Sequence, residues 1–176
     1  LTDEARDRYE ASTSRFADAN SNWAAKEIAT LTSAGIIEGY EDGTFRPDDS
    51  ITRAEYAAIA SRFDKLESGT MRFSDVPSTH WAYSAIASAA EKGWINGYSD
   101  GTFRPDNNIT RAEAVTLTNA VLNRICDEEF VAEHIDEVLS FNDLPTTHWA
   151  YGEIMEAANA HDYEGADGIE NWTALK

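Results

Sequence analysis

The chain has 176 residues, with 14 lysines and arginines against 32 aspartates and glutamates, for a formal net charge of −18. A nucleic-acid-binding protein needs a basic stripe or patch, so this composition excludes that class of partner. No stretch approaches the roughly 20 consecutive apolar residues that a membrane-spanning helix needs, and the single cysteine, Cys126, excludes an internal disulfide framework.

One cassette of sequence recurs three times after residues 1–15, a polar segment predicted to be a leader helix or a tail. The copies define unit one (residues 16–72), unit two (residues 73–140) and unit three (residues 141–176). Because repeated units of this size bury faces that one unit cannot bury alone, we expect all three to form one folded domain. Since the chain starts at Leu1 with no signal-peptide pattern, we interpret it as a fragment or a mature product.

Each unit opens with a Phe-x-Asp motif, a tryptophan and an amphipathic helix. The apolar side chains of that helix recur at i, i+4 and i+7, as in Ala24, Ile28 and Leu31. This spacing predicts a helix with one buried face. Gly35 and Gly93 follow the first two of these helices, at the place where a left-handed C-cap is expected.

A loop and a second helix complete units one and two. The loops, residues 39–50 and 97–108, share the pattern Gly-Tyr-x-Asp-Gly-Thr-Phe-Arg-Pro, which neither a helix nor a central strand tolerates. The motif Ile-Thr-Arg-Ala-Glu follows each loop, and in it Thr52 and Thr110 start capping boxes. In unit two the apolar pattern continues to Val138, which predicts an extended second helix that includes a break.

Unit three keeps the first half of the cassette and departs from the second half. Its residues 167–170, Asp-Gly-Ile-Glu, are not followed by Phe-Arg-Pro or by Thr-Arg-Ala-Glu. The unit is therefore predicted to be truncated, as terminal repeats often are because they cap an array.

These motifs resemble those of the S-layer homology family, the wall-binding modules of bacterial surface proteins, over residues 16–172. The resemblance implies an all-α fold in which three helix-loop-helix repeats pack as a pseudo-threefold helical prism within one monomeric chain. It also implies an extracellular location at the bacterial cell surface or cell wall. Modules of this family bind secondary cell-wall polymers, often carrying pyruvylated N-acetylmannosamine, in grooves between repeats.

Arg53 and Arg111 are the leading candidates for ligand contact. Each stands at the first position of a capped helix, where free backbone amides and the helix dipole favour an anion. The guanidinium adds a planar donor fork that suits a carboxylate such as a pyruvate ketal. The alternative is an ion pair with an acid of a neighbouring repeat, which would only hold the array together. The family resemblance favours ligand contact, at two competent sites rather than three.

The other candidate ligand-binding residues are the tryptophans, the Phe-x-Asp aspartates and the loop glycines and tyrosines: Trp23, Trp81, Trp149, Asp18, Asp75, Asp143, Gly39, Gly97, Tyr40 and Tyr98. An indole offers a flat face to a sugar ring, but it serves equally in packing between repeats. The aspartates either accept from sugar hydroxyls or cap the loops. The glycines serve backbone conformation. If the family's groove is retained, the lack of a side chain at these glycines also leaves room for a sugar. Tyr40 and Tyr98 would then line that groove.

No metal, cofactor or catalytic set is predicted. Asp42-Gly43 and Asp48-Asp49 resemble parts of a calcium loop, but the full ligand spacing is absent. Metal-ligand spacing is also missing among the histidines, which are His80, His134, His148 and His161. The sequence therefore predicts a noncatalytic module that anchors a protein to a cell-wall glycan. The alternative is a structural or protein–protein module of surface-layer assembly that has partly lost glycan binding.

Overall fold

The computed structural model describes residues 3–165 and 170–176; residues 1–2 of the leader and residues 166–169 of unit three lie outside the described residues. In the described part, no helix is both long enough and apolar enough to cross a membrane. The helices and strands, in chain order, are α1 (Asp3–Tyr9), α2 (Ala25–Ser33), α3 (Arg53–Ala60), α4 (Tyr83–Glu91), α5 (Arg111–Leu122), α6 (Glu128–Glu133), α7 (Tyr151–Ala158), β1 (His161–Glu164) and β2 (Asn171–Leu175).

The helices α2, α4 and α7 are the first helices of the three units. Ile28 of α2 and Ile86 of α4 are buried, as the apolar spacing predicts. The predicted left-handed C-caps are confirmed, because Gly35 and Gly93 follow α2 and α4 with φ of 72° and 73°. A side chain in this region is strained, whereas glycine adopts it freely.

The helices α3 and α5 begin at capping boxes, which confirms the prediction for Thr52 and Thr110. In α3 the Glu55 amide donates to Thr52 Oγ1 over 3.2 Å, and the Thr52 amide donates to Glu55 Oε2 over 2.7 Å. Replacing such a cap by alanine typically costs about 1 kcal/mol. Both helices therefore start at a residue that the local sequence specifies.

Units one and two are joined at the start of α3. The amides of Arg53 and Ala54 donate to the carbonyls of Asn107 and Pro105, each over 2.9 Å. An isolated antiparallel bridge pairs Thr52 with Asn108 beside them. The first turn of a unit-one helix is thus completed by the loop of unit two.

The largest hydrophobic core lies across these two units. Its buried side chains come from α3, α4, α5 and the unit-two loop, and they include Ala57, Ile86, Phe103 and Leu117. Unit one has a smaller cluster around Phe16, and unit three has another around Met155. Small residues in α3 permit the close approach of α4, since alanine adds little bulk between two helix axes.

The all-α prediction was wrong, because unit three ends in a two-stranded antiparallel sheet of β1 and β2. Helices account for about 37% of the chain, and much of the rest is loop, so the molecule is not a regular prism of three equal repeats. The strands are irregularly paired between Asp162 and Tyr163. Trp172 of β2 is 4% exposed and packs with Val131, Val138 and Met155.

The physical reason for the hairpin lies at the end of α7. The chain has no glycine C-cap there; instead Asn159 is extended, with φ of −111° and ψ of 116°. The Asn159 side chain accepts from the Leu139 amide over 2.6 Å and donates to the Met155 carbonyl over 2.9 Å. These bonds fix an extended exit from the helix and direct the chain into β1.

The long second helix predicted for unit two is divided in the structure. α5 ends at Leu122, and Asn123 follows in the left-handed conformation with φ of 54°. A short helix, α6, then starts at Asp127, whose side chain accepts from the Phe130 amide over 2.9 Å. Asparagine adopts the left-handed region more readily than most residues, which explains the break.

Candidate functional site

A groove of about 460 Å³ lies where the three units meet. A larger groove of about 700 Å³, between α2, α3 and α5, contains none of the predicted site residues. Each unit contributes to the smaller groove, which we call the Arg53 groove. Its polar and aromatic lining comprises Arg53 of unit one, Trp94, Gly97, Tyr98, Phe103, Glu113 and Thr116 of unit two, and Trp149 and Glu153 of unit three.

Arg53 is the centre of this groove and is 6% exposed. Its Nε donates to the carbonyl of Phe103 over 2.8 Å, and its Nη1 donates to Glu113 Oε1 over 2.6 Å. The guanidinium carbon lies 5.0 Å from the centre of the Tyr98 ring and 4.6 Å from that of Phe103. Nη2 has no hydrogen bond to the described residues, so its N–H groups are the donors of this guanidinium that are not already engaged.

Glu113 holds both Arg53 and Tyr98. Its Oε1 also accepts from the Tyr98 hydroxyl over 2.7 Å, while its Oε2 accepts from the Thr110 amide over 2.9 Å. Burial by itself raises the pKa of Glu113, but the bonds from Thr110 and Tyr98 and the charge of Arg53 outweigh it and lower the pKa. Burial, followed by the bond to Glu113, raises the pKa of Tyr98. At neutral pH the groove therefore holds a carboxylate, a guanidinium and a neutral phenol.

The helix N-terminus beside Arg53 is closed to a ligand. The Arg53 and Ala54 amides donate to unit-two carbonyls, and the Glu55 amide donates to Thr52. An anion at this place is therefore recognised by the guanidinium edge and not by free amides. The ion pair with an acid of the next repeat, left open by the sequence, is present as Arg53–Glu113.

Arg111 has a different environment, although it occupies the same motif position in α5. It is exposed, and it forms no hydrogen bond or ion pair with the described residues. In unit one, Tyr40 donates to Glu55 over 3.0 Å, yet the cation over its ring is Arg46 of the same loop, 4.2 Å away. Among the described residues, the combination of arginine, tyrosine and glutamate from neighbouring units is assembled once.

The three unit tryptophans are exposed, so they do not pack between repeats. Trp23 is 91% exposed, and Trp81 and Trp149 are each 65% exposed. Only Trp149 lines the Arg53 groove. Its ring lies 5.7 Å from that of His148, whose Nδ1 accepts from the Ala150 amide over 3.1 Å and so fixes the start of α7.

The sequence comparisons agree with these motifs. Residues 15–57 and 72–115 match the family model of the S-layer homology domain. The chain is 41% identical over 152 residues to the cellulosome-anchoring protein of Acetivibrio thermocellus, covering 82% of this chain and 32% of that protein. This chain belongs to the S-layer homology family.

Two further relatives of this S-layer homology chain are surface proteins by name. Cell surface glycoprotein 1 of Acetivibrio thermocellus is 35% identical over 178 residues, which cover 93% of this chain and 7% of that protein. The surface-layer 125 kDa protein of Lysinibacillus sphaericus is 34% identical over 155 residues, which cover 86% and 12%. The chain spans a third or less of these relatives, and its location is the bacterial cell surface or cell wall.

The Phe-x-Asp aspartates lie outside the groove lining. Asp75 accepts from the Phe103 and Arg104 amides over 2.8 and 2.7 Å, and so holds the unit-two loop. Asp18 does the same for the Phe45 and Arg46 amides of unit one. The bond from the Arg46 amide is the main cause that lowers the pKa of Asp18. Asp143 is exposed and has no such loop partner among the described residues.

The loop glycines are required by their neighbours. A Cβ on Gly97 would overlap the Phe73 ring and the Thr102 carbonyl, and one on Gly39 would overlap the Phe16 ring and the Thr44 carbonyl. Gly97 lines the Arg53 groove, whereas Gly39 does not. Gly39 and Gly97 thus both permit close packing within their units, and Gly97 also borders the Arg53 groove.

Sequence reasoning identified Glu113 only as a cap and missed Glu153. Glu153 Oε2 accepts from Asn119 Nδ2 over 2.7 Å, which ties α7 to α5 at the edge of the groove. The signal for Glu113 was present, since pairing of successive Thr-Arg-Ala-Glu motifs sets the arginine of one unit against the glutamate of the next. No local pattern marks Glu153.

Cys126 does not provide a nucleophile. Burial, followed by the nearby carboxylates of Glu156 and Glu128, raises its pKa to about 12. The thiol is therefore protonated at neutral pH, and a protonated thiol is a poor nucleophile. The S-layer homology part is a noncatalytic anchoring module.

Proposed function

We propose that this cell-wall anchoring module binds a secondary cell-wall polysaccharide in the Arg53 groove. A carboxylate-bearing sugar such as pyruvylated N-acetylmannosamine is the candidate ligand. The observation that carries the proposal is the buried guanidinium of Arg53, held by Glu113 and the Phe103 carbonyl with Nη2 unengaged, in a groove that also has an exposed indole.

The chemistry of the groove suits an acidic sugar. Nη2 of the Arg53 guanidinium can donate to a carboxylate of the ligand, and such charge-assisted bonds are about twice as strong as neutral ones. Glu113 and Phe103 fix the orientation of Arg53, so little side-chain freedom is lost on binding. Trp149 presents an apolar face beside it, on which the less polar side of a sugar ring can stack.

The net charge of −18 opposes an anionic polymer. At physiological salt, however, charges are screened over about 8 Å, so the acids near the groove matter most. Of these, Glu113 is already paired with Arg53, and Glu153 accepts from Asn119. Because Glu113 also neutralises Arg53 locally, recognition of a carboxylate would rest on the hydrogen bonds from Nη2 and not on a net positive charge in the groove.

The test is co-sedimentation with purified wall sacculi. We expect Trp149→Ala to weaken binding about tenfold, the equivalent of about 1.4 kcal/mol, because a central aromatic contact is lost. Arg53→Lys keeps the charge and loses the planar fork, so binding should also fall. Trp23→Ala is the matched control, because that indole is exposed and lies outside the groove.

The controls separate the two candidate functions. Circular dichroism confirms that each variant is folded before its binding is compared. Removal of the secondary polymer from the sacculi should abolish binding by the unaltered chain. If binding survives that removal, or if Trp149→Ala and Arg53→Lys bind normally, the groove is not the glycan site. The structural or protein–protein role, which the incomplete unit three favours, then becomes the better explanation.

A further inference from the structure

A second cluster of charged side chains is buried in unit three, away from the Arg53 groove. It consists of Glu156 on α7, His161 at the start of β1, and Glu170 just before β2. Their side chains are 0%, 0% and 5% exposed. One nitrogen or oxygen from each lies within 4.8 Å of the others, which is the separation expected of ligands around one ion.

The hydrogen bonds of His161 determine what its ring presents to the two carboxylates. Nδ1 lies 2.8 Å from the carbonyl oxygen of Asn159, which can only accept, so Nδ1 carries a hydrogen. In a neutral imidazole Nε2 then has a free lone pair. That atom lies 3.2 Å from Glu170 Oε2 and 3.7 Å from Glu156 Oε1. Three electron-rich atoms therefore converge, and either a proton on Nε2, which would then donate to Glu170, or a cation bound between them removes the repulsion.

Glu156 is the member of this cluster whose surroundings most favour a bound cation. Both of its oxygens are buried without a hydrogen bond, and a buried carboxylate without partners costs several kcal/mol. Arg124 lies 2.7 Å from Oε1 and balances one of the two negative charges. Oε2 accepts no hydrogen bond of standard geometry from the described residues, although the Trp172 side chain is near enough to stabilise the Glu156 carboxylate.

We propose that Glu156, His161 and Glu170 bind one divalent transition-metal ion, with Zn²⁺ as the best fit. Zinc takes imidazole nitrogen and carboxylate oxygen at about 2.0–2.2 Å, usually in a tetrahedral arrangement. Tetrahedral ligands at that radius lie about 3.3–3.6 Å apart, close to the 3.2 and 3.7 Å separations from Nε2. Calcium, which takes six to eight oxygens, fits a site with an imidazole poorly.

The surrounding residues suit this role. The Asn159 carbonyl fixes the His161 tautomer in the way that backbone carbonyls commonly orient metal-bound histidines. Arg124 lies 2.7 Å from Oε1 of Glu156, the same oxygen that lies 3.7 Å from Nε2, so this oxygen would be shared between the guanidinium and the ion. The Trp172 ring stacks on His161 with a centre-to-centre distance of 3.7 Å and covers it from solvent.

The ion would fasten the hairpin to α7. An isolated two-stranded hairpin is at best marginally stable in water, and these two strands have no third neighbour. One ligand comes from α7 and the other two from the hairpin, so a bound ion links the two elements directly. The site is independent of glycan recognition, and neither proposal depends on the other.

The experiment starts from purified chain stripped with a chelator and then titrated with ZnCl₂, with MgCl₂ as a parallel control. We expect one zinc per chain by elemental analysis. The melting temperature should rise by about 5–10 °C when free zinc exceeds its Kd about 100-fold. Co²⁺ in place of zinc should give the visible absorption typical of a four-coordinate nitrogen and oxygen site.

Matched variants locate the ion. His161→Gln and Glu170→Gln should each weaken zinc binding at least tenfold. Two control variants should leave zinc binding unchanged: Glu164→Gln, which alters an exposed acid on β1, and His80→Gln, which alters a histidine near the exposed Asp106. The proposal is overturned if the unaltered chain retains no zinc and melts at the same temperature with or without it. It is also overturned if zinc binds equally well to the His161 and Glu170 variants. Because the first result concerns the unaltered chain, misfolding of a variant leaves the test intact.

Discussion

Arg53 and Arg111 occupy the same position of the same motif, yet their surroundings differ completely. Arg53 is 6% exposed and bonds to Glu113 and the Phe103 carbonyl of the next unit. Arg111 is exposed, and the described residues give it no partner. Both helices have the same cap, so the difference arises outside the motif. The following unit decides whether the arginine forms part of a groove.

The comparison shows that the functional element of this array is a junction between units and not a unit. Unit two supplies a loop carbonyl and a glutamate to the arginine of unit one. Unit three offers Arg111 no such pair among its described residues. Counting motifs therefore overestimates the number of complete grooves.

The largest difference is expected between Arg53→Ala and Arg111→Ala. Removing Arg53 leaves Glu113, whose side chain is 18% exposed, without its cation. Breaking a buried pair typically costs 3–5 kcal/mol, and the partial exposure of Glu113 reduces the expected loss to about 2–4 kcal/mol. Removing Arg111 should change the free energy of unfolding by less than about 0.5 kcal/mol. Urea denaturation followed by circular dichroism measures both.

A double variant sharpens this result. In Arg53→Ala/Glu113→Gln no charge is left unpaired, so the loss should be smaller than the sum of the two single losses. Equal destabilisation by Arg53→Ala and Arg111→Ala would contradict the assignment of the pair as a junction between units.

A moderate effect is expected for the loop glycines. Gly97→Ala and Gly39→Ala each place a Cβ against a phenylalanine ring and a backbone carbonyl, at an expected cost of about 1–3 kcal/mol of stability. The two variants should melt at similar temperatures. Only Gly97→Ala should also weaken binding to wall sacculi, because Gly97 borders the Arg53 groove. Equal loss of binding in both variants would indicate a second working groove beside Gly39.

The smallest effect is expected in the dependence of the unfolding free energy on acidic pH. The pKa of Glu113 is lowered in the folded state, so its contribution to stability is present above its ordinary value of 4.5 and is lost as the pH falls through the lowered value. Glu113→Gln should therefore flatten the fall in unfolding free energy below pH 4.5. Glu55→Gln, in the matching cap of unit one, should flatten it less, because Glu55 has no arginine from another unit. Parallel urea titrations across this pH range make the comparison.

Features set by neighbours in sequence were predictable. The caps at Thr52 and Thr110 and the left-handed glycines at 35 and 93 depend on residues within one helical turn, and all four are confirmed. The family was recognised from motifs of the same kind. The break at Asn123 was harder to place, because asparagine adopts the left-handed region but does not require it.

Features set by distant contacts were not predictable. The hairpin of unit three depends on Asn159, whose side chain bonds across to Leu139, and on Trp172, which fills a core built from earlier helices. The partnership of Arg53 with Glu113 was one of two alternatives that the sequence left open, and only the docking of the loops and helices of units one and two decides between them. Glu156, His161 and Glu170 follow no ligand motif along the chain, and only the fold brings them together.

The backbone bridge between residues 52–54 and 105–108 has a consequence for changing the number of copies in such an array. A unit one cut out alone would expose the Arg53 and Ala54 amides that now donate to Asn107 and Pro105. A unit two cut out alone would keep Glu113 without its cation. Shortening or extending this module for surface display therefore has to preserve pairs of adjoining units.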